Sequence, residues 1–243
     1  MRLSYNDIEY YSKAALYKFM VPAISIKGIR PFPAEIFATH QLGLHLEYTR
    51  LSDDGQILGI TTYVDTDVDL YRHFQKEVLR VPGKTVLIDE RLMQPMWGIP
   101  DTERGRRQFT IAHECAHHLL YQLEPEEQKR KLDARYSART LSLRDLKSLD
   151  DWREWQANAL AAALLMPVKY IELFLGNRRL TFYGKRMNIP DKLMYENMCN
   201  RLGVSHTALT LRLRRLGYLI VLPASEYFDP TDVICDESFY KNS

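Results

Sequence analysis

Cysteine is scarce in this chain: three residues in 243, Cys115, Cys199 and Cys235, odd in number and far apart. That spacing builds neither a disulfide framework nor an all-cysteine metal site, and it predicts a reducing compartment, the cytoplasm. Long apolar runs are missing too. The longest, Ala159 to Met166, falls far short of the roughly 18 to 20 residues that cross a bilayer. Asp7 and Glu9 stand where an export signal would need a basic start and an unbroken apolar stretch, so export is not expected. No excess of one charge exists either: a net charge of +2 gives a field that neither requires nor excludes nucleic acid. Internal repeats and low-complexity tracts are also lacking.

A hydrophobic content of 46% over this length is enough to bury a sizeable core, and predicts one compact domain with a small appendage. Ile8, Tyr11, Ala15 and Phe19 recur at helical spacing, and residues 34 to 41 read as a second, short helix after Pro31 and Pro33. Alternating or β-branched runs at Gly43 to Tyr48, Ile57 to Tyr63 and Thr85 to Asp89 predict a small, mainly antiparallel sheet. Asp53-Asp54-Gly55 forms the turn between the first two runs. Pro100 and Asp101 open a helical pattern that lasts to about Tyr121, and another runs from about Asp150 to Met166 and stops at Pro167. The basic stretch Lys129 to Lys147 lies between them. After Pro190, two helical patterns flank Gly203-Val204-Ser205, Tyr218 to Leu222 reads as a strand, and the tail from Pro223 has no clear period. The fold class is therefore α+β.

The chemistry concentrates in His113-Glu114-Cys115-Ala116-His117. At about 100° per residue, two histidines four apart differ by only about 40° around a helix, so their imidazoles can converge on one ion. Glu114 falls beside them, where a carboxylate can reach a water on the metal without itself binding the metal. The rest of the wheel, including Phe109, Ile111, Ala112, Cys115, Ala116, Leu119 and Leu120, is apolar, and Cys115 on that side reads as a small core residue. His118 lies off the metal pair and reads as a surface or cleft-lining histidine. A catalytic zinc keeps three protein ligands, so a third is needed downstream. The best candidate is Glu154, in Trp152-Arg153-Glu154-Trp155-Gln156-Ala157-Asn158: Glu154, Asn158, Ala161 and Leu165 share a face, and small residues there let two helices approach. Asn158, one turn on, would support the ligands. The competing reading of Glu154 is a first-turn glutamate favoured by the helix dipole.

The stretches Arg107-Gln108-Phe109-Thr110-Ile111-Ala112-His113-Glu114-Cys115-Ala116-His117, Glu154-Trp155-Gln156-Ala157-Asn158 and Leu164-Leu165-Met166-Pro167 resemble the motifs of the ImmA/IrrE family of metallopeptidases. The resemblance implies Zn²⁺ held by His113, His117 and Glu154, Glu114 as general base, and a minimal thermolysin-like peptidase fold. Gln156 stands where some relatives carry another acidic residue, which leaves Glu154 as the ligand in that motif. On this reading residues 1–188 form the zinc peptidase domain, 189–222 a helix-turn-helix-like segment packed on it, and 223–243 a tail. In better-known members the substrate is a helix-turn-helix transcriptional repressor, whose cleavage derepresses genes, as in the antirepressors of mobile elements. Tyr136, Tyr183 and His206 are candidates for a second oxyanion donor by residue type only.

A rival reading makes the chain a DNA-binding regulator. Tyr195 to Gly217 looks like a helix-turn-helix, with Ser205 capping a second helix that bears Thr207, Thr210, Arg212, Arg214 and Arg215. Read as packing instead, Leu209, Leu213 and Leu216 point inward and the arginines are solvated. A third reading is a metal-binding scaffold without catalysis, but the base and all three ligand types are present.

Overall fold

The computed structural model describes residues 2–19, 23–72, 75–93, 101–132, 134–137 and 148–227. Cys235, Pro100, most of the basic stretch and the tail from residue 228 lie outside that set. Ser4 and Asp7 exchange hydrogen bonds at the start of α1 (Tyr5–Phe19), which buries Ile8, Ser12 and Leu16. The short α2 (Ala34–Ile36) continues into one wider helical turn at Phe37–Gln41. Two long helices follow in the second half: α3 (Asp101–Leu123) and, after the single turn α4 (Glu126–Lys129), α5 (Leu149–Leu165). Ser148 caps α5 in a reciprocal box with Asp151. Pro167 ends α5 as expected, but it also opens a further helix, α6 (Val168–Leu175), because a fixed φ suits a first turn as well as it blocks a continuing one. Helices α7 (Ile189–Leu202) and α8 (His206–Leu216) are joined through Gly203, whose left-handed φ of 66° closes α7.

Strands β1 (His45–Thr49), β2 (Gly59–Thr62), β5 (Thr85–Asp89) and β6 (Ala134–Ser137) form one sheet in the order β1-β5-β2-β6. Two of its three pairings are antiparallel, and β1 runs parallel to β5. The turn at residues 53–55 therefore does not join paired strands, contrary to expectation. Burial explains the order: every residue of β2 and of β5 is buried, so both need neighbours on each side, whereas β1 is half exposed and takes the edge. Between β2 and β5 the chain makes a hairpin, β3 (Thr66–Arg72) and β4 (Gln75–Val81). A two-stranded parallel pair, β7 (Leu180–Tyr183) and β8 (Leu219–Leu222), lies further along the chain.

The sheet separates two cores. The larger one gathers α1, α3, α5, α7 and α8, with Val86 and Ile88 from β5. The smaller one holds Leu51, Ile60, Val68, Leu70, Val81 and Leu87, filled largely by the hairpin. Among the described residues no single helix is long and apolar enough to cross a membrane.

Candidate metal centre

Helix α3 is held at its upstream end by the residues that precede the two histidines. The Arg107 guanidinium donates to the Glu35 carboxylate, which also accepts from the Tyr48 hydroxyl, and Gln108 Oε1 accepts from the Ala34 amide at 3.2 Å. These contacts fix α3 against α2 and β1. Gly105 permits a close approach to the turn between α7 and α8: a Cβ there would stand 3.1 Å from the Ser205 nitrogen.

One turn apart on α3, His113 and His117 are both buried, with their Nε2 atoms 3.0 Å from each other. Helix α5 packs closely against α3, and Ala157 and Ala161 of α5, like Ala112, Cys115 and Ala116 of α3, are fully buried small residues. That closeness lets Glu154 straddle the pair: Oε2 is 3.3 Å from His113 Nε2 and Oε1 is 3.2 Å from His117 Nε2. Ligand atoms of all three lie within 4.8 Å of one another, so the group could hold a metal ion. The donor set fits one. With metal–ligand bonds of about 2.0–2.2 Å, ligand atoms around a tetrahedral zinc stand about 3.3–3.5 Å apart, close to the separations seen.

The charges agree with that fit. Burial works against ionised Glu154, yet hydrogen bonds from His113 and His117 hold its carboxyl far below the usual range. Burial likewise disfavours charged His113, but the hydrogen bond to Glu154, the fields of Glu114 and Glu154 and a hydrogen bond with Asn158 raise its pKa overall. Glu114 is fully buried beside the pair, and its side chain lies against Gly59 of β2. A small cleft opens next to His117, bordered by Leu3, Tyr63, Leu120, Tyr121 and Gln156.

Residues 100–214 match the family model Peptidase_M78, the IrrE N-terminal-like domain. That stretch is similar to an M78 peptidase domain. No curated protein matches the chain. The M78 match takes in α3, α5, α6, α7 and most of α8, and so both helices that supply the His113–His117–Glu154 group.

Other residues are placed less as the sequence suggests. His118 is buried rather than exposed, and desolvation together with the nearby Lys84 charge lowers its pKa to about 4. It faces inward because β2 and the β4–β5 turn cover that side of α3. Cys115 is a fully buried core thiol, its pKa raised by burial. Of the three candidate oxyanion donors, Tyr183 meets Tyr227 edge to face and His206 stacks on Tyr195, both in the C-terminal elements. Tyr136 is described only by its backbone, which pairs opposite Ile60. Sequence reasoning missed Gly59. Its signal was a glycine inside a strand-patterned run, which often marks a close approach.

Of the arginines of α8, Arg214 and Arg215 are exposed, as the packing reading expects, and Arg212 is not. Arg212 is buried and donates to the Met166 carbonyl at 3.1 Å and to the Glu9 carboxylate, while Arg215 lies 3.6 Å over the Tyr5 ring. Thr210 shares a hydrogen bond with the Tyr195 hydroxyl. Thr207, Arg214 and Arg215 are the exposed members of the set proposed for DNA contact.

Proposed function

We propose that this chain is a zinc-dependent endopeptidase of thermolysin-like design, with His113, His117 and Glu154 as metal ligands and Glu114 as general base. One observation carries the reading: two imidazole nitrogens and a carboxylate from separate helices converge inside a range of 4.8 Å in a stretch similar to a peptidase domain. When bound, zinc supplies Lewis acidity, moving the pKa of water from about 15.7 toward 7 and polarising a carbonyl. Glu114 takes the proton from the water as its oxygen bonds to the scissile carbonyl carbon, then passes that proton to the departing amine nitrogen as the C–N bond breaks. Asn158, one turn beyond Glu154 and close to His113, supports the orientation of that imidazole.

A helix-turn-helix transcriptional repressor is the proposed substrate, its cleavage derepressing genes, and the cytoplasm the proposed setting. The engagement of Arg212, Thr210 and Arg215 within the chain favours this reading over direct DNA binding. The test measures zinc content and repressor cleavage together. Glu114→Gln is expected to retain zinc and lose at least about 10²-fold in cleavage rate. Glu154→Ala is expected to lose both. Parent-rate cleavage by Glu114→Gln sinks the base assignment, and undiminished zinc in Glu154→Ala sinks the ligand assignment.

A further inference from the structure

We propose that Gly59 is the positioning residue for Glu114: the side chain it lacks is the space in which the carboxylate stands. This rests on Glu114 being the base. A Cβ built on Gly59 would fall 2.7 Å from Glu114 Cδ and 2.9 Å from Cγ, and closer still to Oε1. Real Cβ atoms do not approach so near. Because Cγ is itself too close, turning the carboxylate about its last bond does not clear the clash; the whole side chain must leave its rotamer, or α3 must move off the sheet.

Neither β2 nor the glycine has an easy way to yield. Gly59 pairs with Ile88 of β5 on one side and Ser137 of β6 on the other, so β2 is gripped along both edges. The backbone of Gly59 is ordinary strand, since the glycines with positive φ are Gly43, Gly55, Gly176, Gly184, Gly203 and Gly217. Glycine is therefore needed at 59 for room and not for conformation. The neighbouring residues on the same face of β2 do carry side chains: Thr61 is fully buried, and Tyr63, just beyond the strand, stacks on Tyr121 of α3 with ring centroids 4.1 Å apart. The missing side chain thus falls opposite the base, while the same face fills the gap to α3 further along.

The experiment is a cycle of Gly59→Ala and Glu114→Ala. In the metal-free protein, Gly59→Ala is expected to lower the thermal unfolding midpoint when Glu114 is present and to leave it unchanged when residue 114 is alanine. With zinc restored, Gly59→Ala is expected to keep the parent's zinc content and KM. Its kcat on the best-cut member of a quenched-fluorescent peptide library is expected to fall about 10²-fold, the effect of an ångström of misplacement. Equal loss of midpoint in both backgrounds overturns the proposal, as does a parent-level kcat in Gly59→Ala. If Gly59→Ala alone does not fold, recovery of a folded protein in the double variant supports the proposal and continued failure overturns it. Parent-like cleavage by Glu114→Gln would instead remove the base, and the positioning role with it, whatever the unfolding cycle shows.

Discussion

A carboxylate with no exposed surface is tolerated only where its partners replace water, and Asp89 at the end of β5 has such partners. It accepts from Arg91 Nε at 2.6 Å and Nη2 at 2.9 Å, and from the Leu51 amide at 3.2 Å. Burial pushes its pKa up, but Arg91 and the two backbone amides outweigh it, so the folded value lies below the ordinary one. The ionised form therefore contributes stability above about pH 4, and that contribution is lost as the pH falls through the folded pKa. Asp89→Asn is expected to cost about 1 kcal/mol at pH 7, the low end for a charged hydrogen bond because Arg91 is itself partly exposed, and to flatten the fall in stability toward acid. Urea unfolding at neutral and at acid pH checks this; a variant with the parent's acid profile contradicts it. Much of the centre was legible at this scale. The histidine spacing and the small-residue stripe around Glu154 placed three side chains on facing stripes, and those side chains do meet. Gly59 and the burial of His118 were not legible, because each follows from segments that lie more than 30 residues away in sequence.

Helix α8 is anchored by its buried Leu209 and Leu213 and by one charged side chain. Arg212 ties three elements together: its own helix, α1 through Glu9, and the end of α5 through the Met166 carbonyl. Removing it strands a partly buried carboxylate and a backbone oxygen, so Arg212→Ala is expected to cost about 3–5 kcal/mol in chemical unfolding. Lysine lacks the planar fork that serves both acceptors, and Arg212→Lys is expected to recover less than half of the loss. Full stability in the lysine variant would show that charge alone suffices. Elements with strong helical period, such as α1, α3 and α5, were readable from the sequence. The hairpin β3–β4 was not, since its solvent side carries Asp67, Asp69, Lys76 and Arg80 and the inward residues Val68 and Leu70 are few. The partner of β1 was also unreadable: nothing local distinguishes a neighbour across a turn from one that arrives parallel after a long excursion.

For the molecule as a whole, the His113–His117–Glu154 group bridges α3 and α5, two helices that run through the larger core. An ion bound there only when the chain is folded adds stability by mass action, about 2.7 kcal/mol at a hundredfold excess over Kd. Zinc-loaded protein is expected to unfold at a higher temperature than the same protein treated with chelator, and His117→Ala is expected to abolish the difference. Equal midpoints for the loaded and chelated parent would contradict a bridge between the helices.

Strand β2 is a party wall. Ile60 faces the smaller core beneath the hairpin while Gly59 and Thr61 face α3, and all four of its residues are buried. A partition loaded from both rooms has no slack, so a shift of the hairpin cannot be absorbed before it reaches the glutamate leaning on the other side. Mutations among Val68, Leu70 and Val81, none of which borders the cleft, should therefore register in the rate of the chemistry as well as in the melting curve.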